Sequence, residues 1–274
     1  MTLGDVLRRA AGHLERTSET SRLDAELLLA HALGRSRIEL YTDFDRPLTE
    51  TELDGYRELI ARRSRREPVA YILGEWGFRR LTLAVDRRAL IPRPETEVVA
   101  ERALARLAGI EAPRVLDVGT GSGALALSLV DEHPGARVLG IDVSAGALAL
   151  ARENAARTGL HVELREHDAL AGLPEGPFDL VVSNPPYVEP NDLDTLMPDV
   201  RDFEPEVALV GSGITDAVAR GALEVLRPDR WLVLEVGDGQ TAETAALLDE
   251  LGYTDIATTP DLTGRDRVVE GRRA

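Results

Sequence analysis

The chain has 274 residues, 43% of them hydrophobic and none cysteine, and its 48 acidic against 32 basic residues give a formal charge of −16. That length and apolar content suffice for one large domain or two smaller ones with packed cores, and the lack of thiols excludes disulfides, thiolate metal sites and thiol nucleophiles. A field of this sign repels a nucleic-acid backbone unless a local basic patch overcomes it, so free duplex DNA is not an expected partner.

Residues 1–74 read as helices only. Leu3, Val6, Leu7, Ala10 and Leu14 fall at helical spacing behind Thr2, an N-cap candidate with Asp5 three residues on. A second helix runs through RLDAELLLAHAL and stops at Gly34. A third opens on Thr49, with Glu52 at capping-box spacing, and runs through Leu53, Tyr56, Leu59 and Ile60 to the break before Pro68. The basic run Arg62-Arg63-Ser64-Arg65-Arg66 reads as a solvated helix end that complements the dipole. No apolar run approaches a membrane span, and the charged amphipathic start MTLGDVLRRAAGHLERTSET lacks a signal-peptide core. The expectation is a cytoplasmic monomer with no membrane partner.

Residues 75–92 change pattern: FRRLTLAV alternates imperfectly and predicts a β-hairpin linker. From Pro94, a good first helical residue, strands and helices alternate. The strand candidates are RVLDVG, RVLGID, HVELRE, FDLVVS and WLVLEV, with YTDIATTP and DRVVEG as a terminal pair. This predicts, over 93–274, a doubly wound, mostly parallel, seven-stranded Rossmann-like α/β sheet.

The first of these strands runs into Gly119-Thr120-Gly121-Ser122-Gly123 and then a helix near Ala124. Glycines there permit positive φ and close approach of a ligand to the backbone. Asp142, about 20 residues on, ends the next strand, where a carboxylate accepts ribose hydroxyls. Both features fit a dinucleotide as well as S-adenosylmethionine. Asp117, two residues before Gly119, leans toward the latter, because it favours a ligand with an ammonium group and no pyrophosphate. Asp168 follows the third strand candidate, placed to reach an adenine amino group or simply to cap a turn.

FDLVV ends in Ser183-Asn184-Pro185-Pro186-Tyr187. The prolines stop the strand, yet strand ends are where open α/β sheets hold ligands. A planar amide or aromatic amine is a poor nucleophile because its lone pair is delocalised. Two acceptors on its NH2 hydrogens, the Asn184 side-chain oxygen and the Pro185 carbonyl, orient the nitrogen and favour the charge that develops there. Tyr187 offers a flat face to the planar group. The five histidines are scattered and no metal is expected.

With DVGTGSG and NPPY stand PVAYILGEWGFRRLTLAVDRRALIPRPETE (68–97), EPEVALVG, WLVLEVGDGQ and DLTGRDRVV. Together they resemble the release factor glutamine methyltransferases, the HemK/PrmC family, over nearly the whole chain. The resemblance implies transfer of a methyl group from S-adenosylmethionine, leaving S-adenosylhomocysteine, to the N5 amide of the glutamine in the Gly-Gly-Gln loop of class I peptide chain release factors. Gly119, Thr120, Gly121, Ser122, Gly123 and Asp142, with Asp117, Asp168, Ala169 and Asn184, would hold the cofactor. Asn184, Pro185, Pro186 and Tyr187 would hold the glutamine, and the helical domain would help dock the release factor. Two positions depart from the pattern: Ala169 where the family often has an aromatic, and Pro228-Asp229-Arg230 where many methyltransferases have Pro-Gly-Gly. NPPY alone is shared with N6-adenine methyltransferases, for which the basic run is the best support, and the sister enzyme acting on a ribosomal protein shares fold and motif. A cofactor-binding module without catalysis would have no use for Asn184 and Tyr187.

Overall fold

Thr2 and Asp5 exchange side-chain and backbone hydrogen bonds at 3.3 Å, so helix α1 (Leu3–Leu14) starts on a capping box. Helix α2 (Ser21–Leu33) ends on Gly34 in the left-handed region, at φ 60°. The short helix α3 (Arg37–Thr42) follows, and α4 (Glu50–Ser64) starts on the Thr49/Glu52 capping box. Helix α5 (Val69–Leu73) has five residues. Neither α3 nor α5 is long enough to show a hydrophobic period, and the sequence does not announce them.

The computed structural model describes every residue, Met1–Ala274, in two compact units. Met1–Glu75 and the later segment Met197–Phe203 form the first; Trp76–Leu196 and Glu204–Ala274 form the second. In the first, Leu3, Leu7, Leu14, Leu28, Leu29, Leu40 and Tyr56 are buried, and the Tyr56 hydroxyl donates to the Ala25 carbonyl at 3.0 Å.

The basic run is not a solvated helix end throughout. Arg63 lies buried and donates to Asp24 at 2.7 Å and to Asp199 at 2.6 Å. Arg62 pairs with Glu67, and Arg66 reaches Asp199. Only Arg65 is exposed. A sequence read in one dimension could not see Asp24 or Asp199 arriving beside these guanidinium groups.

The unit boundary falls after Glu75, the first residue of a hairpin made of β1 (Glu75–Phe78) and β2 (Leu81–Ala84), and α6 (Pro94–Leu107) follows in the second unit. There follow β3 (Arg114–Val118), α7 (Ala124–Glu132), β4 (Arg137–Asp142), α8 (Ala145–Thr158), β5 (Glu163–Glu166) and β6 (Phe178–Ser183). After α9 (Pro198–Arg201), in the segment assigned to the first unit, come α10 (Ile214–Val225), β7 (Leu226–Glu235), α11 (Thr241–Glu250), β8 (Tyr253–Pro260) and β9 (Asp266–Arg273). The seven-stranded sheet has the order β5-β4-β3-β6-β7-β9-β8. Strands β3 to β7 are parallel, and β9 runs antiparallel to both β7 and β8.

Alternate residues supply the two faces, as a pleat requires. Val115, Val138, Leu180, Val182 and Val233 pack with α6 and α7, whereas Leu116, Val118, Leu139, Val181, Leu232 and Leu234 pack with α10 and α11. Where many methyltransferases carry glycine, Asp229 adopts the left-handed conformation, at φ 59°, and its carboxylate pairs with Arg272. The departure at Pro228-Asp229-Arg230 is thus accommodated by a residue type that tolerates this region better than most.

Replacing Arg63 with alanine leaves Asp24, whose side chain is 6% exposed, without its cation. Such a loss costs about 3–5 kcal/mol, and urea denaturation should show the midpoint of the helical unit falling accordingly.

Candidate functional site

The sheet reverses its winding between β3 and β6, and the carboxyl ends of such strands frame a crevice. A cavity of about 320 Å³ lies there, within the range of small-molecule sites. Gly119, Thr120, Gly121, Ser122, Asp142, Asp168, Ala169, Asn184, Pro185 and Pro186 line it. Asp117, Gly123 and Tyr187 are not among the lining residues.

Gly119, Gly121 and Gly123 take positive φ of 74°, 57° and 83°, conformations that a side chain would strain. The loop is held from within. Gly119 and Thr120 donate to the Ile141 carbonyl, Gly121 to Asp142 Oδ2, each at 2.9 Å, and Gly123 to the Thr120 carbonyl at 2.8 Å. These N–H groups are therefore not an open nest for a phosphate. Asp142 Oδ1 also accepts from the Ser144 N–H at 2.8 Å, so both carboxylate oxygens are oriented and each keeps lone-pair capacity for a further donor. Burial raises the Asp142 pKa, against the opposing bonds from Ser144, Gly121 and Val143.

Asp117 is fully buried beneath the loop. Its Oδ2 accepts from the Thr120 hydroxyl at 2.6 Å, while Oδ1 has no hydrogen-bond partner. Burial pushes this carboxyl up to about 7, opposed by the Thr120 hydroxyl and the Ala126 N–H and reinforced by the charge of Asp142. Gly140 on β4 makes the arrangement possible, since a Cβ there would stand 2.8 Å from Thr120 Oγ1.

Asp168 Oδ1 accepts from the Leu170 N–H at 2.9 Å, capping the 3₁₀ turn Ala169–Ala171 at the cavity rim. Ala169, which stands where the family often has an aromatic, leans on the core, and the neighbouring Leu170, 59% exposed, supplies apolar wall to the cavity. The two guanidinium groups lining the cavity are committed: Arg88 to Asp86 and Glu153, Arg93 to Glu204.

The NPPY segment is clamped on two sides. Val188 donates to the Leu209 carbonyl at 3.0 Å, and Gly211 to the Val188 carbonyl at 3.3 Å. A Cβ on Gly211 would lie 2.5 Å from Pro186 Cγ, so the last glycine of EPEVALVG serves close approach. On the other side Gln240 accepts from the Gly237 N–H at 2.9 Å and donates to the Tyr187 carbonyl at 3.2 Å, while the Tyr187 ring crowds Gly237. The Ile91 N–H and Arg93 both meet Glu204, which joins IPRPETE to EPEVALVG.

Behind Asn184 stand Thr96 of IPRPETE and Glu235 of WLVLEVGDGQ, two side chains to which the sequence alone assigns no role. Asn184 Nδ2 donates to Thr96 Oγ1 at 3.0 Å, and Thr96 donates to Glu235 Oε2 at 2.6 Å. Glu235 is a lone carboxylate in the apolar strand WLVLEV, as Asp117 is in RVLDV. A charge isolated in a buried strand is the signal that finds it.

The family model described as the PrmC N-terminal domain matches residues 5–74, and that described as the methyltransferase small domain matches residues 98–199. The chain is similar to a release factor glutamine methyltransferase of Geobacter sulfurreducens, 43% identical over 99% of this chain and 96% of that protein. Another from Xylella fastidiosa is 45% identical over 93% of this chain and 94% of its own. Among solved structures, a methyltransferase from Pyrococcus furiosus shares the fold with a TM-score of 0.53 at 18% identity, over 70% of this chain and 88% of that one.

An Asp117 pKa near 7, above the ordinary value near 4, means that the native state holds a proton the unfolded state has lost. Stability therefore falls as pH rises from about 4 to about 7. Asp117→Asn abolishes that titration. The variant should gain thermal stability over the parent as pH rises from about 5 to about 8, with the difference vanishing at the acid end, by calorimetry on ligand-free protein.

Proposed function

The chain belongs to the release factor glutamine methyltransferases, and we propose that it methylates the N5 amide nitrogen of the glutamine in the Gly-Gly-Gln loop of class I peptide chain release factors, modulating translation termination. The observation that carries this reading is the Asn184 amide, whose NH2 faces and donates to Thr96 while its oxygen stays available beside the rigid Pro185-Pro186 pair.

S-adenosylmethionine, when bound, supplies a methyl group on a sulfonium, and S-adenosylhomocysteine leaves. The residues present fit it: the unpartnered Asp117 Oδ1 below the glycine loop favours a cationic ligand. In this reading Asp142 accepts from the ribose hydroxyls, Asp168 from the adenine amino group, and Leu170 and Ala169 cover the base. Gly119 to Gly123 present backbone close enough for the ligand to pass. A dinucleotide is the poorer fit, because the pyrophosphate would meet backbone N–H groups already bonded and guanidinium groups already paired.

Asn184 Oδ1 and the Pro185 carbonyl take the two hydrogens of the substrate NH2, which fixes the nitrogen and favours positive charge on it. Tyr187 faces the planar amide in this reading, its place set by Gln240 and Gly237. No covalent enzyme intermediate is required.

The decisive assay incubates the protein with labelled S-adenosylmethionine and, separately, a purified release factor, its loop Gln→Ala variant, a ribosomal protein and DNA. Label should enter the release factor and not the Gln→Ala variant; label on ribosomal protein or DNA alone overturns the choice of substrate. Asn184→Ala should lose about 10²-fold or more in turnover while cofactor affinity barely changes, since most of the cofactor's contacts are expected from other residues. Asp142→Ala should do the reverse, and calorimetry finding its cofactor affinity intact removes the ribose role.

A further inference from the structure

Thr96 and Glu235 belong neither to the cofactor loop nor to NPPY, yet they stand in line behind Asn184. Their side chains are buried, with residue exposures of 5% and 1%. Thr96 Oγ1 lies 2.6 Å from Glu235 Oε2 and 3.0 Å from Asn184 Nδ2. A hydroxyl has one hydrogen, and a carboxylate can only accept it. With Glu235 ionised, the Thr96 hydrogen goes to Glu235, and the oxygen facing Asn184 has only lone pairs to offer. The amide must then turn its NH2 toward Thr96.

We infer that Glu235 and Thr96 are positioning residues that set the polarity of the Asn184 amide, the carboxylate orienting the hydroxyl and the hydroxyl presenting the amide oxygen, rather than its NH2, to the substrate. The inference rests on the NH2-directed chemistry proposed above, but not on which molecule carries that NH2. Protonated Glu235 can donate to Thr96, which frees the Thr96 hydrogen for Asn184 Oδ1. The amide then turns over and meets the substrate with donors where acceptors are needed. The relay has two states of opposite polarity, and only one serves the reaction.

The surroundings keep these states close in energy. Burial pushes the Glu235 carboxyl up to about 7; Glu95 adds to this, while Thr96, Arg267 and Arg93 oppose it. Tyr187 faces the same carboxylate, its phenol pushed up to about 12 by burial and by that charge. Neither cation is dedicated to Glu235, since Arg93 pairs with Glu204 and Arg267 lies 3.6 Å from Asp261. The frame around the relay is fixed by the far part of the same helix. Arg102 and Arg106 of α6 bracket the buried Glu270 of β9, and Arg106 lies 3.5 Å from the Trp231 ring centroid on β7. Thr96 therefore cannot slide along Glu235 without breaking these contacts.

The carboxylate is the competent form, so turnover should fall as pH drops through about 7. The test compares the parent protein with Thr96→Val, Thr96→Ser and Glu235→Gln, using whichever acceptor the parent methylates in the assay above. Thr96→Val should lower kcat by about 10²-fold with S-adenosylhomocysteine affinity unchanged by calorimetry, and Thr96→Ser should recover most of the loss. Glu235→Gln should lose the acid limb of the pH profile. A readout independent of turnover is the NMR signal of the Asn184 side-chain NH2 in protein labelled with ¹⁵N-asparagine. It should move between about pH 6 and pH 8 in the parent, stay still in Glu235→Gln, and shift in Thr96→Val. An acid limb unchanged in Glu235→Gln, or an NH2 signal indifferent to both substitutions, overturns the relay. Methylation of DNA in place of glutamine overturns the proposed substrate alone, and the relay is then decided on that amine.

Discussion

The site depends on one constraint, the parallel register of β3 between β4 and β6. Val118 sits opposite Ile141 on one side and Ser183 on the other. The next residues along, Gly119, Asp142 and Asn184, therefore leave the sheet at the same level, though they come from three separate parts of the chain. The Ser183 hydroxyl donates to the Val118 carbonyl at 2.7 Å and ties the two strand ends together. A slip of one residue in either pairing would turn every core side chain to the opposite face, so the apolar alternation that builds the core also aligns the polar groups.

Four acids of the second unit, Glu270, Glu235, Asp117 and Asp142, show two arrangements. Glu270 is buried, which raises its pKa, but Arg106 and Arg102 more than reverse that and hold it below the usual range. Glu235, Asp117 and Asp142 have no such dedicated cation, and burial carries all three upward. The first arrangement anchors α6. The second costs stability and gathers about the crevice, as perturbed groups at functional sites tend to do.

Much of the fold was legible because its signals are local. Capping boxes need three residues of spacing, and Thr49 with Glu52 forms one as read. Buried parallel strands are short apolar runs, and all seven strand candidates appear in the sheet. What escaped is what the chain assembles at a distance. Thr96 and Glu235 are separated by 139 positions, and nothing in either neighbourhood names the other. The basic run misled for the same reason, since Arg63 is a surface residue by pattern and a buried one by its partners Asp24 and Asp199. Met197–Phe203 joins the helical unit after a stretch of 121 residues in the other, which no reading in sequence order anticipates.

The chemistry proposed at Asn184 calls for a planar NH2 and is indifferent to what bears it, so the choice between a glutamine and an adenine has to be made elsewhere. An enzyme of nucleic acid draws most of its affinity from phosphates, through cations free to displace counterions. Here the one basic run spends Arg62, Arg63 and Arg66 on Glu67, Asp24 and Asp199, and the whole chain carries −16. Cations already paired inside the protein displace few counterions. The same negative field repels a polyanion over its whole length, a penalty that a protein loop without such a charge does not incur. The electrostatics thus favour an amide on a protein, the choice that NPPY by itself leaves open.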